Sequence, residues 1–235
     1  MGLFSKTIEG NGWSFDKQTG KLTISGELGD VFNPFKGFAK KVLSVEALPG
    51  ARTSECFYLF SEMENLREAD LAELDVSECT DMTYAFHNCR SLTRICLSKW
   101  NTSKAEKMSS VFSGCRSLKE ADLSSWDVSN VKDFSLMFLF CYALETIDLT
   151  GWEISENADA DTLFDSVPKT AHIFTDDVSV VRLLPEGVNR SLTGQWSCVS
   201  TPRSRWIKPV MMKKQPGSTD LPRNRAAVQR PLTLR

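Results

Sequence analysis

A repeat of 26 residues is the sequence feature that most constrains how this chain can fold. Four successive segments begin with leucine at that interval, and other apolar positions keep the same register in each segment. A unit of this length cannot bury its apolar face alone, whereas stacked copies pack each column against itself and form a solenoid. The columns are Leu66, Leu92, Leu118 and Leu144; Leu71, Leu97, Leu123 and Leu149; Leu74, Trp100, Trp126 and Trp152; Met82, Met108 and Phe134; Phe86, Phe112, Phe138 and Phe164; and Cys89, Cys115 and Cys141.

Each unit divides into a strand, a turn and a segment with helical spacing. In the third full unit, Ala121 and Leu123 alternate with polar residues, as in a half-buried strand. A turn rich in small polar residues follows, and then Phe134, Phe138 and Cys141 recur at spacings of four and three, as on one face of a helix. The sequence therefore predicts an α/β solenoid of the leucine-rich-repeat type, with a parallel sheet on one face and short helices on the other.

The repeat also divides the chain into four parts. About five units occupy residues 40–169, and residues 1–39 contain two alternating stretches that predict a capping hairpin. Residues 170–199 are predicted to cap the other end with a strand and a helix. Residues 200–235 are rich in Pro, Ser, Arg and Lys without apolar periodicity, which predicts a disordered basic tail.

The charge and the cysteines exclude several classes of function. Nine basic residues and one acidic residue lie between Pro202 and Arg235, so this tail carries +8 and the remainder of the chain −10. The seven cysteines show no metal-ligand spacing, and we expect buried free thiols. No phosphate-binding loop or catalytic triad spacing is present, so we expect no cofactor, no small-molecule substrate and no enzymatic activity.

The repeat unit closely resembles that of the BspA-like bacterial surface proteins. Residues 118–141 read LKEADLSSWDVSNVKDFSLMFLFC, and in that family a Leu-x-x-Leu-Asp-Leu strand precedes a Trp-Asp-x-Ser turn and Met-x-x-Met-Phe-x-x-Cys. The resemblance covers about residues 12–199. It implies a leucine-rich repeat fold, no enzymatic activity, adhesion or host-protein binding, and a secreted or anchored location. The residues alone show no signal peptide, anchor or lipidation motif and favour the cytoplasm.

Outward-facing side chains of the predicted strands form the candidate binding surface. Alternation places these residues on the open side of the sheet, about 4.8 Å apart from strand to strand. Any single one of them is typical of a solvated sheet position, but stacked like charges cost stability, and as a set they predict an acidic surface for a basic protein ligand. The candidate ligand-binding residues are Glu68, Asp70, Arg94, Glu120, Asp122 and Asp148.

Other features have structural interpretations that compete with functional ones. The tryptophan column could be a carbohydrate-stacking ladder, but its register with the leucines favours core packing. The cysteine column lies on the apolar face and favours buried thiols. The basic tail offers the alternative function, an intracellular scaffold or a protein that contacts nucleic acid or an anionic membrane, although it contains no recognised binding motif.

Overall fold

A computed structural model of the chain describes residues 6–29 and 32–191. It consists mainly of short strands joined by turns, with one short 3-10 helix and one short α-helix. In chain order the elements are β1 (Thr7–Gly10), β2 (Trp13–Asp16), β3 (Lys21–Ile24), a 3-10 helix (Ala39–Lys41), β4 (Ser44–Ala47), β5 (Glu68–Asp70), β6 (Arg94–Cys96), β7 (Glu120–Asp122), β8 (Thr146–Asp148), β9 (His172–Phe174), α1 (Val178–Val181) and β10 (Asn189–Ser191).

The N-terminal end of the solenoid is closed by an antiparallel sheet. Strands β2 and β3 form the hairpin that the alternating sequence predicts, and Gly20 closes its turn with a φ of +69°. Strand β1 adds a further antiparallel strand outside β2 that the sequence did not reveal. Strand β3 then pairs in parallel with β4, so the hairpin covers the first coil directly.

The remaining strands confirm the solenoid and its parallel sheet. In the pairs β5–β6, β7–β8 and β8–β9 every residue faces the residue 26 positions later. The leucine, phenylalanine and tryptophan columns are buried and form one continuous core. The ladder is interrupted between β6 and β7, so the strands belong to two sheets, of six and four strands.

The face opposite the strands departs from the predicted helices. The segments that follow the polar turns contain consecutive tight turns, and in the described part of the chain no repeat unit forms an α-helix there. Within one coil Ala85 donates its N–H to the carbonyl of Met82, whereas Phe86 donates to Val111 in the next coil at 2.9 Å. We call this surface, residues 56–62, 82–88, 108–114 and 134–140, the turn face.

The spacing of the coils explains why turns replace helices. Stacked strands lie about 4.8 Å apart, whereas a helix with its side chains is about 10 Å wide. Turns stack at nearly the strand spacing, and the buried Phe60, Phe86 and Phe112 rings follow one another at 5.2 Å and 5.6 Å. The turns need left-handed backbone at two positions in four successive coils and at one position in the coil that follows. These are Tyr58, Tyr84, Ser110 and Leu136, and then Glu62, Asn88, Gly114, Phe140 and Ser166.

The C-terminal end continues the stack for one more strand than the sequence predicts. Strand β9 pairs with β8, as expected, and β10 then pairs in parallel with β9. Between them lies α1, which is capped by Asp177, whose carboxylate accepts the N–H of Ser179 at 2.6 Å. The rest of the predicted cap and the basic tail, 192–235, lie outside the described residues. No helix among the described residues has the length and apolar character needed to span a membrane.

The cysteines follow the expectation of buried free thiols only in part. Cys89, Cys115 and Cys141 are free and buried, and each thiol donates to the carbonyl of a core phenylalanine 29 residues earlier at 3.1–3.2 Å. Burial raises the pKa of Cys141 to about 12, as expected for an unreactive core thiol. Cys56 and Cys79, however, are joined by a disulfide, with 5.9 Å between their Cα atoms. Their positions in neighbouring coils, 23 residues apart, do not share a column, which is why the repeat did not reveal the pair.

Candidate ligand-binding surfaces

The six candidate residues lie at outward positions of the parallel strands, although Asp148 is buried there. In β5 and β7 the central alanine is buried and the flanking carboxylates point away from the core. The structure places the six on four successive strands, but the interruption after β6 divides them into two groups of three. We call this surface, formed by the outward residues of β3 to β9, the strand face.

The charges on the strand face are partly neutralised. Arg94 contacts Glu68 at 3.2 Å, and Lys21 contacts Glu46 in the same way nearer the N-terminus. Both pairs are well exposed, so each contributes little to stability. Within the described residues the other carboxylates of this face have no cation partner. They are Asp70, Glu120, Asp122 and Asp148.

The aspartates of the strand face also stabilise the turns that follow their strands. The carboxylate of Asp122 accepts the N–H of Ser124 at 3.2 Å and its hydroxyl at 2.7 Å. Asp148 accepts from the N–H and hydroxyl of Thr150 in the same way, at 3.0 Å and 2.6 Å. A short polar side chain that binds the backbone two residues onward is the usual device for starting such a turn. Part of the acidic column is therefore structural.

Asp148 differs from the other carboxylates of this column because it is buried. Its residue is only 2% exposed, and its Oδ2 atom has no hydrogen-bond partner. Burial raises the pKa of Asp148, and the nearby carboxylates of Asp122 and Asp176 act in the same direction. The hydrogen bonds from Thr150 oppose this shift without cancelling it. Asp148 is thus a poor candidate for an exposed charge.

The tryptophan column lies in the core, as the sequence predicts. Trp100, Trp126 and Trp152 are buried and stack at 5.9 Å and 6.5 Å between ring centroids. Trp100 donates its indole N–H to the carbonyl of Leu71 in the preceding coil at 2.9 Å. These rings are not available to stack on a carbohydrate.

A second candidate site lies on the turn face and was not found from the sequence. A cluster of aromatic rings covers the first two coils, and a cavity opens beside it against the N-terminal segment. Tyr58 packs on Tyr84 at 4.6 Å, and Tyr84 meets His87 edge to face at 5.1 Å. Burial lowers the pKa of His87 and raises that of Tyr58, so both groups are uncharged near neutral pH. The sequence did not predict this site because its residues lie between the recurring apolar columns of the repeat, at positions where the residue type varies from unit to unit.

Neither surface has the composition of a metal site. In the part of the chain that the structure describes, no group of three or more His, Cys, Asp or Glu side chains lies close enough to hold an ion. The two surfaces therefore offer binding through charge on the strand face and through aromatic packing on the turn face.

Comparison with known proteins assigns the repeat region to a family. Residues 54–176, just over half of the chain, match the family described as "Mycoplasma protein of unknown function, DUF285". The chain belongs to the DUF285 family. No curated protein and no solved structure matches it. The resemblance to BspA-like proteins is not tested by this assignment and stays a prediction.

The DUF285 region includes most of the candidate binding residues and leaves out the N-terminal segment. It begins just before Cys56 and ends just after β9, so it contains the four strands that carry the six candidate ligand-binding residues. It also contains Tyr58 and Tyr84 of the aromatic cluster. The N-terminal hairpin and the segment that closes the turn-face cavity lie before it. The family description leaves the function open.

Proposed function

We propose that this DUF285 protein is a non-enzymatic binding protein that holds a basic segment of another protein along its strand face. The observation that carries the proposal is that Asp70, Glu120 and Asp122 on the strand face have no cation partner among the described residues. A row of like charges destabilises the empty sheet, and a basic ligand relieves that repulsion. The net charge of −10 outside the basic tail adds a long-range attraction for such a ligand.

The repeat itself supports a binding role. We propose that the unit is a leucine-rich-type repeat in which turns take the place of the usual short helix. Stacked coils give an extended surface whose variable residues lie between fixed core columns, and repeat proteins commonly bind partners on such surfaces. The proposal agrees with the BspA-like resemblance, which implies adhesion or host-protein binding.

The disulfide supports a location outside the reducing cytoplasm. The Cys56–Cys79 bond joins two neighbouring coils, and such bonds persist mainly in oxidising compartments. We therefore favour adhesion or host-protein binding at the cell surface over an intracellular scaffold role.

The proposal can be tested with a labelled peptide of alternating Lys and Ser as a generic basic ligand. Fluorescence anisotropy would compare the wild-type full chain with a variant carrying Asp70→Asn, Glu120→Gln and Asp122→Asn. Asn keeps the oxygen that accepts the turn hydrogen bonds, so the fold is retained. At about 0.5 kcal/mol for each removed charge, we expect the variant to bind about tenfold more weakly.

A charge-matched control makes the result specific to the strand face. Glu153→Gln, Asp161→Asn and Asp165→Asn remove three exposed acidic charges that lie outside the strands. The control should bind the peptide within about twofold of wild type, because the lost charges lie outside the strand face and exposed charges are screened by salt. Equal losses in both variants, or no loss in either, would contradict the proposal.

A further inference from the structure

A cavity of about 370 Å³ lies between the N-terminal segment and the turn face of the first coil. Its volume falls within the usual range for small-molecule sites. The segment before β4 supplies one wall, and the turn of the first coil supplies the other. The described residues that line it are Phe32, Asn33, Lys36, Ala39, Lys40, Tyr58, Ser61 and Glu62.

Aromatic rings form the apolar part of the cavity. The Phe32 residue is 59% exposed, which is unusual for a large apolar side chain that packs on other rings. It meets Tyr58 and Phe57 with 5.8 Å between ring centroids in each case. Tyr58 is in turn held by Tyr84, so its position is fixed by packing. A flat ring that entered the cavity would cover the exposed part of Phe32 and add a further aromatic contact to it.

Two residues that line the cavity carry a buried polar atom without a partner. Ser61 is completely buried, and its hydroxyl makes no hydrogen bond. The side-chain oxygen of Asn33 is likewise buried and unpaired. Only five side-chain atoms of the described residues are in this state, and two of them belong to residues that line the same cavity. Because an unpaired buried polar atom is costly, this arrangement favours a ligand with a complementary polar edge.

The charged groups at the cavity are engaged elsewhere or exposed. Lys40 contacts Glu64 at 2.8 Å, and the Glu62 carboxylate accepts from the amide of Asn88 at 2.8 Å. Lys36 is exposed at the rim. The enclosed part of the cavity therefore presents aromatic faces together with a serine and an asparagine side chain, while the Glu62 carboxylate is held by the Asn88 amide and the Lys36 charge lies at the exposed rim.

We propose that this cavity binds a small, uncharged, planar heteroaromatic ring that carries an N–H donor. The ring packs against Phe32 and Tyr58, and its N–H donates to the side-chain oxygen of Asn33. The Ser61 hydroxyl contacts the same polar edge. This site is separate from the strand face and does not depend on the proposed protein binding.

Indole and 1-methylindole form a matched pair of probes, because methylation removes the N–H donor and leaves the ring. Titration calorimetry on the full chain should show one site for indole, with a Kd on the order of a millimolar for so small a ligand. We expect 1-methylindole to bind about tenfold more weakly, the change that corresponds to one lost hydrogen bond. No saturable binding of indole, or equal binding of the two probes, would overturn the proposal.

Substitutions at the polar atoms locate the site. Ser61→Ala and Asn33→Gly should each weaken indole binding about fivefold or more, and glycine suits the left-handed backbone of Asn33. The control Ser113→Ala removes another buried serine, which lies 52 residues further along in the same column and outside the cavity. It should leave indole binding unchanged.

The thermal stability of the empty Ser61→Ala protein separates a binding role from a structural one. Removal of an unpaired buried hydroxyl should leave Tm unchanged or raise it. A lower Tm would show that the hydroxyl already has a structural partner and would overturn the proposal. Unchanged indole binding in both cavity variants would overturn it equally.

Discussion

The indole N–H of Trp152 donates to the carbonyl oxygen of Leu123 in the preceding coil, at 2.9 Å. Trp126 lies 26 residues earlier in the same column, yet its buried indole N–H has no partner. The missing bond lies at the junction where the ladder between β6 and β7 is interrupted. The turn face stays joined at this junction, since Phe112 donates to Met137 at 3.0 Å. On its strand side the solenoid therefore has fewer hydrogen bonds between coils at the junction of β6 and β7.

This difference predicts unequal effects of the same substitution. Trp152→Phe and Trp126→Phe remove similar buried volume, but only Trp152→Phe removes a hydrogen bond. It takes away the indole donor of the Leu123 carbonyl, which keeps only the backbone N–H of Trp126. We expect Trp152→Phe to lower the free energy of unfolding by about 1 kcal/mol more than Trp126→Phe. Urea unfolding of both variants measures the difference. Equal losses would show that the two indoles are equivalent.

Asp148 should destabilise the protein at neutral pH. Because its folded-state pKa is raised, the folded protein holds the Asp148 proton more tightly than the unfolded chain does. Below the ordinary Asp pKa of 3.8 the carboxyl is protonated in both states, and Asp148 does not lower the free energy of unfolding. The destabilisation appears as the pH rises through the higher pKa that Asp148 has in the folded protein. We expect Asp148→Asn to stabilise the protein at pH 7 by on the order of 1 kcal/mol and to have little effect near pH 3. The control is Asp122→Asn, whose side chain is less buried, and unfolding midpoints at the two pH values provide the measurement. A variant that is less stable than wild type at pH 7 would refute this account.

Ion pairs between neighbouring coils help to fix their register. Residues 66–91 contain six acidic and two basic residues, whereas residues 92–117 contain five basic and one acidic. Glu78 and Lys104, 26 positions apart, contact each other at 2.7 Å. Since both side chains are more than half exposed, we expect Lys104→Glu to lower the free energy of unfolding by only about 0.5 kcal/mol.

The double variant Glu78→Lys with Lys104→Glu restores the pair in reverse. At low salt it should recover most of the free energy of unfolding that Lys104→Glu loses. In 1 M NaCl the loss caused by Lys104→Glu alone should become smaller. Denaturant unfolding at both salt concentrations gives the comparison. A double variant that is no more stable than Lys104→Glu alone would show that the contact has no influence.

The left-handed positions of the turn face should resist ordinary side chains where space is tight. Gly114 has a φ of +80°, and a Cβ atom there would overlap the side-chain oxygen of Asn88. We expect Gly114→Ala to lower the free energy of unfolding by about 1 kcal/mol or more. Gly37 has no neighbour within 4 Å of an added Cβ and serves as the control, so Gly37→Ala should be nearly neutral. Similar effects of the two substitutions would contradict the described turn geometry.

The repeat, the parallel sheet and the buried columns could be predicted because each leaves an apolar periodicity in the sequence. Phe86 and Phe112 show this directly, since both are fully buried and stacked as their spacing requires. The turn face could not be predicted in this way, because spacings of three and four fit either a helix or consecutive tight turns. Tyr84 and Leu136, moreover, are not residues that sequence rules place in left-handed backbone.

The candidate site was predictable to a similar extent. The outward carboxylates of the strands follow from alternation, and the structure places Glu68 and Asp122 on the open side as expected. The burial of Asp148 was not predictable, since its column gives the same pattern as Asp70. The turn-face cavity depends on Phe32 approaching Tyr58 across an irregular segment, which no periodicity encodes.

The hydrogen bond donated by the Phe86 amide provides the most direct test of a solenoid in which turns replace helices. In this structure its N–H donates to the carbonyl of Val111 in the next coil, whereas in an α-helix it would donate to Met82, four residues earlier. Scalar couplings across hydrogen bonds, measured by NMR on isotope-labelled protein, identify the acceptor of a single amide. A coupling from the Phe86 amide to the Val111 carbonyl is the predicted result. A coupling to the carbonyl of Met82 would show that the second face is helical and would contradict the account.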